Sequence, residues 1–235
     1  MTKSMSSALA AALIAAIVVG STAPAGAADP QSAPQPTLKV GDRWVYNVTS
    51  GVGLTKTTYQ ETREVTSVDA SGIKVKVTGK TADGKDFTRV DELASPGEVR
   101  YGAPCIDEAY RFQTPLQRVT FPIVPGQRSS KWVDVVSEPG GKKGQFNYYF
   151  NTHNWDKQTV PAGSFDTIRI DVLMMLDDAT AFRVGTTCNF IYWYSPAVRN
   201  TVRERRTAFY TTAISPAQTE VQNASYELAS FNPGK

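Results

Sequence analysis

Histidine is nearly missing from the sequence: His153 is the only one, and Cys105 and Cys188 are the only two cysteines. A zinc centre needs several nitrogen, sulfur or carboxylate ligands, and a serine hydrolase needs a histidine held between an acid and a nucleophile. His153, in "FNTHNWDKQ", has neither setting and reads as a turn residue ahead of a hairpin from Trp155 to Phe165. The HExxH pattern, the GxSxG elbow and a Gly-rich phosphate loop are all lacking. No metal and no cofactor is therefore expected. Charge of one sign is also lacking: 25 basic against 22 acidic residues give a formal net charge of +3, too little to point to nucleic acid or another polyanion. Long apolar runs are lacking too. The longest, Ala8 to Val19, has 12 residues, whereas a helix crossing a hydrocarbon layer about 30 Å thick needs roughly 20.

That short run identifies the first residues. Lys3 precedes it, and small residues ending in Ala25-Gly26-Ala27 follow. This is the layout of a secretory signal peptide, with cleavage expected after Ala27 and no transmembrane segment in the mature chain. A lipid anchor would need a cysteine at the cleavage site, and the first cysteine is Cys105. The expected organisation is a signal peptide over 1–27, a Pro-rich, polar, flexible lead-in over 28–37 and a single β domain over 38–235, in a periplasmic or secreted protein. After export the two cysteines meet oxidising conditions. A Cys105–Cys188 disulfide is expected, two separate buried thiols being the alternative.

Alternation of period two runs through the mature chain. Trp44, Tyr46 and Val48 alternate with Val45, Asn47 and Thr49; Ile73, Val75 and Val77 with Lys74 and Lys76; Ile168, Ile170, Val172 and Met174 with Thr167, Arg169 and Asp171. Phe146, Tyr148 and Phe150 share one face. These are half-buried strands. Prolines at 96, 104, 115, 122 and 125 mark Ser95 to Gly126 as an irregular connection. "VGDRW" at Val40 to Trp44 returns as "VPGQRSSKW" at Val124 to Trp132, each followed by a strand, a glycine turn (Gly72, Gly163) and an alternating strand. Two similar antiparallel halves of this kind cover each other's apolar faces by curling together. The fold class expected is all-β: a curved antiparallel sheet forming a half-barrel or barrel, possible as two pseudo-repeated halves.

"VGDRWVY", "VPAGSFDTIRI", "YWYSPAVRNTVR" and "SYELASF" occur in that order. In this order they resemble the exported β-domains of proteobacteria that are grouped as domains of unknown function, the TapB-like group among them. The resemblance spans most of residues 38 to 231. It implies a curved sheet or incomplete barrel in a periplasmic protein, and it carries no catalytic residue over.

Two features are candidates for a site. In "IYWYSPAVRNTVRERR", Ser195-Pro196 breaks a strand ladder, because proline has no N–H to donate. Before the break Cys188, Phe190, Tyr192 and Tyr194 share a face. After it Arg199, Thr201, Arg203 and Arg205 point one way, while Val198, Asn200, Val202, Glu204 and Arg206 point the other. The arginine row reads as a solvated outer face, with anion binding as the alternative. The aromatics read as sheet core or as the wall of a ligand groove formed by Tyr148, Trp155, Tyr192 and Tyr194. The adjacent acids Asp91-Glu92, Asp107-Glu108 and Asp177-Asp178 read as solvated turn and loop charges, since neighbours on a strand face opposite sides. The function expected is non-enzymatic binding of an envelope component, a protein or a small amphipathic molecule. A lipid or hydrophobic-ligand carrier and a glycan-acting hydrolase are the alternatives.

Overall fold

The two ends of the chain meet and close the sheet. In a computed structural model, which describes residues 32–53, 56–81, 84–105, 109–138, 141, 143–176, 182–212 and 214–235, β1 (Arg43–Ser50) pairs with β2 (Thr57–Asp69) on one side and with β12 (Ser215–Asn232) on the other. Between them run β3 (Gly72–Lys80), β4 (Asp86–Ser95), β5 (Glu98–Gly102), β6 (Ala109–Gln117), β7 (Arg128–Glu138), β8 (Lys143–Val160), β9 (Gly163–Leu176), β10 (Arg183–Ser195) and β11 (Asn200–Thr212), each antiparallel to the next. The result is a closed, all-antiparallel barrel of 12 strands. Closure leaves no unpaired edge for another chain to join. The signal segment 1–27 and the acid pairs Asp107-Glu108 and Asp177-Asp178 lie outside the described residues.

The period-two faces point where the sequence places them. Trp44, Tyr46, Val48, Ile73, Val75, Val77, Phe146, Tyr148, Phe150, Ile168, Ile170, Val172 and Met174 are all buried in the lumen. Their strand neighbours Asn47, Lys74 and Lys76 face water. At about 1.5–3 kcal/mol per large apolar side chain removed from water, this lumen is the main source of stability. The arrangement is the reverse of a barrel seated in lipid, whose apolar band faces outward. Among the described residues, no helix is long and apolar enough to cross a membrane.

The sequence echo corresponds to two halves built alike. Gly41 N–H donates to Val65 O (2.8 Å) and Val65 N–H to Asp42 O (2.9 Å) ahead of β1; ahead of β7, Gly126 N–H donates to Thr152 O (3.0 Å) and Thr152 N–H to Gln127 O (2.9 Å). The turns β2–β3 and β8–β9 both end on a glycine with positive φ, +129° at Gly72 and +132° at Gly163, a conformation that side chains with a Cβ rarely adopt. β1–β6 and β7–β12 thus start and turn in the same way.

Two expectations are corrected. The stretch Ser95 to Gly126 is not an irregular connection but holds β5 and β6. Pro115 falls between the paired stretches of β6, where its missing N–H removes no ladder bond. His153 is not in a turn: it lies inside β8, at the register shift between Thr152 and Trp155, and meets Asp171 Oδ2 at 2.8 Å. Within the expected lead-in, Ala33 is fully buried and exchanges two backbone hydrogen bonds with Ile123 (2.9 and 2.8 Å). Prolines rule out helix there, but an extended segment can still pair with a loop.

Candidate functional site

Three strands carry an inward-facing arginine and acid two residues apart, and period two puts each such pair on one face. Glu61 and Arg63 on β2, Arg89 and Asp91 on β4, and Glu204 and Arg206 on β11 all turn inward between two apolar clusters. One cluster is centred on β8–β10 (Phe146, Tyr148, Ile170, Phe190) and the other on β1–β3 and β12 (Trp44, Tyr46, Val77, Leu228).

Glu204 is the hub. Its carboxylate is fully buried and accepts from Arg63 Nη1 at 2.6 Å, Arg206 Nη2 at 2.5 Å and Thr201 Oγ1 at 2.6 Å. Arg63 also pairs through Nε with Glu61 at 2.8 Å. Aromatic faces complete the clamp, with Arg63 at 4.4 Å over the Tyr46 ring and Arg206 at 4.4 Å over Tyr226. Tyr46 Oη donates to Thr201 O (2.9 Å), fixing the strand that carries Glu204. Burial pushes the Glu204 carboxyl up, but the pull of Arg63 and then Arg206 overturns this and holds it well below its ordinary value. Burial likewise works against the Arg63 charge, and Glu204 and Glu61 restore it.

Beside this clamp is a cavity of about 130 Å³. Its lining includes the charged Arg63, Arg89, Asp91, Arg118 and Arg206, the apolar Leu93, Val99, Val119 and Phe121, and the rings of Tyr192 and Tyr194. Pro36 and Leu38 and the β10–β11 turn at Arg199 also line it. That turn is a single 3₁₀ turn, Pro196–Val198, ending on Arg199 with φ +60°. Arg199 is committed to Asp42 (3.0 Å) and Thr37 O (3.0 Å). A wider depression of about 730 Å³ lies outside the barrel against Arg128, Tyr149, Asn151, Asp171 and Ile191. Its floor is the outer face of a continuous sheet, so a small molecule there would keep most of its hydration.

The four aromatic candidates are split by the structure. Tyr192 and Tyr194 line the cavity. Tyr148 is buried behind it and donates its hydroxyl to Arg118 O (2.5 Å), so it holds the backbone of a cavity residue. Trp155 packs partly buried against the β8–β10 cluster, away from the cavity.

The arginine row is also split, and the solvated-face reading holds for only part of it. A register shift between Trp193 and Tyr194 against β11 turns Thr201 inward, while Arg203 and Arg205 face out. Asp91 is not a solvated turn charge: it sits on β4 at the cavity wall, paired with Arg89 at 2.6 Å. Its neighbour Glu92 faces out to Arg111 (3.1 Å).

Four tyrosines in or near this region, Tyr46, Tyr148, Tyr194 and Tyr226, have hydroxyls pushed up from 10.0, chiefly by burial. A folded value above the unfolded one contributes stability below about pH 10 that is lost as pH rises. Phenolate absorbance should therefore show a subset of the ten tyrosines ionising only with a cooperative unfolding step at alkaline pH. All of them ionising smoothly, with circular dichroism unchanged, would contradict the burial of these four.

No protein-family model matches the chain, and no curated protein matches it either. Among solved structures it is similar to a Bacteroides fragilis protein described as exported, with a YmcC-like fold (14% identity, TM-score 0.47, 85% of this chain and 99% of that one). A Parabacteroides distasonis protein described as a lipoprotein is comparable (14% identity, TM-score 0.46, 85% and 97%). So is the hypothetical lipoprotein YmcC of Escherichia coli (6% identity, TM-score 0.43, 81% and 85%). Likenesses this distant carry no argument about this chain, and they lend no support to the TapB-like group in particular.

Proposed function

We propose that the mature chain, a single β domain in the periplasm or outside the cell, is a non-enzymatic binding protein that takes a small amphipathic molecule into the barrel cavity. The cavity's lining carries this reading: apolar Leu93, Val99, Val119 and Phe121 share one cavity with the guanidiniums of Arg63, Arg89, Arg118 and Arg206. The signal-peptide pattern supports export, and the resemblance to exported β-domains points the same way. At about 130 Å³ the cavity is smaller than the roughly 300–1,000 Å³ of drug-sized sites. It suits a small molecule or the head of a larger amphiphile, and disfavours a carrier that swallows a whole acyl chain. A glycan hydrolase needs a carboxylic acid kept protonated near neutral pH, and the fully buried Glu204 is shifted the opposite way.

Native mass spectrometry after gentle purification, followed by calorimetric titration with short-chain amphiphiles, tests the reading. Saturable binding that is lost on filling the cavity with Val119→Trp is the expected result. Neither a co-purifying mass nor any amphiphile binding would refute it, as would binding that Val119→Trp leaves intact.

A further inference from the structure

We propose that the molecule taken by this cavity carries an anionic head, a carboxylate or a phosphate, and that Arg118 is the side chain that recognises it. The inference rests on the binding reading above and adds the chemistry of the ligand. Four cations, Arg63, Arg89, Arg118 and Arg206, meet three carboxylates, Glu61, Asp91 and Glu204, which leaves 4 − 3 = +1. The surplus is localised. Arg63, Arg89 and Arg206 each have a carboxylate oxygen within 2.8 Å. Arg118 has none within ion-pair distance among the described residues. Its guanidinium lies 5.3 Å over the Tyr192 ring, a contact that leaves its edge N–H donors free for a planar, bidentate acceptor.

A second group points the same way. Tyr194 lines the cavity at 4% exposure, and its hydroxyl has no hydrogen-bond partner among the described residues. A buried hydroxyl without a partner is costly, and an oxyanion placed in the cavity accepts from it and from Arg118 together. The carboxylates and Arg199 are already engaged: Glu204 by three donors, Asp91 by Arg89, and Arg199 by Asp42. A cationic head would be repelled by the surplus charge, and a neutral one would leave it uncompensated.

Isothermal titration of the full mature chain with octanoate, octyl phosphate, octanol and octylammonium tests this. Octanoate or octyl phosphate should bind about tenfold to a hundredfold more tightly than octanol, the range for a charge-assisted hydrogen bond, and octylammonium should not bind. The tighter of the two anions identifies the head, and inorganic phosphate shows whether the tail is needed. Arg118→Gln should weaken the anions to the level of octanol without weakening octanol itself. Arg118→Lys should retain part of the preference, and Tyr194→Phe should weaken the anions without lowering the melting temperature. Octanol binding as tightly as the anions, or an anion affinity indifferent to Arg118→Gln, overturns the anionic assignment and leaves the binding reading standing. If none of the four amphiphiles binds the unaltered protein, both fail together. Should Arg118→Gln impair folding, the anion-to-octanol ratio on the unaltered protein and the Arg118→Lys result decide.

Discussion

Glu204→Gln is expected to lower the unfolding free energy at neutral pH by about 3–5 kcal/mol, the range for breaking a buried charge network by removing one partner. Arg63 and Arg206 both point their guanidiniums at this one carboxylate, at 2.6 and 2.5 Å, and they stay buried when its charge is gone. Glutamine keeps the shape and one acceptor but offers an amide N–H toward two cations. Urea unfolding followed by tryptophan fluorescence measures the loss, and a change under about 1 kcal/mol would show that the cluster is hydrated and weakly coupled. The network also predicts an acid response of definite sign. Because Glu204 titrates in the folded state well below its ordinary 4.5, its contribution is complete above that pH and declines as pH falls toward the folded value. The unaltered protein should thus lose stability steeply below about pH 4.5, and Glu204→Gln should lose less over the same interval.

Opening the Cys105–Cys188 bond is expected to cost about 4 kcal/mol on the chain-entropy account. The two residues are 83 positions apart with Cα atoms 5.9 Å apart, within the span a disulfide bridges. The closed loop contains β6 to β9 and the first half of β10, so the unfolded chain gains considerable freedom on reduction. Both cysteines are buried in the β8–β10 cluster, and Cys→Ala is the cleaner replacement because serine would add a buried hydroxyl. Urea midpoints of oxidised protein, reduced protein and Cys105→Ala/Cys188→Ala should separate the oxidised form from the other two. Two free thiols titrated in unfolded, unreduced protein would show that the pair is not bonded.

Much of the barrel is legible residue by residue. Trp44, Tyr46 and Val48 face inward because an apolar residue at every second position leaves a strand one face to bury. Gly72 and Gly163 mark matching turns because their φ values exclude most other residues. β5 and β6 were hidden for a local reason: β5 is five residues long, too short to display a period, and prolines flank both strands. The site was less legible. Tyr192 and Tyr194 could be picked out as aromatic neighbours of a turn, but Arg63, Arg89 and Arg118 carry no signal that separates them from the chain's other arginines.

The pairing of an acid with an arginine at i and i+2 recurs at Glu61/Arg63, Arg89/Asp91, Arg169/Asp171 and Glu204/Arg206. The chain alone determined that the members of each pair share a face, since side-chain direction repeats every two residues along a strand. Which face, it left open. Closure of the sheet turned three of these pairs into the lumen, where they meet from strands far apart in sequence, and left Arg169/Asp171 outside at 40% and 33% side-chain exposure. The register shift in front of Arg203 then broke what reads as one row of arginines. A strand's period is a local property of its backbone, whereas inside and outside exist only once the first and last strands have paired.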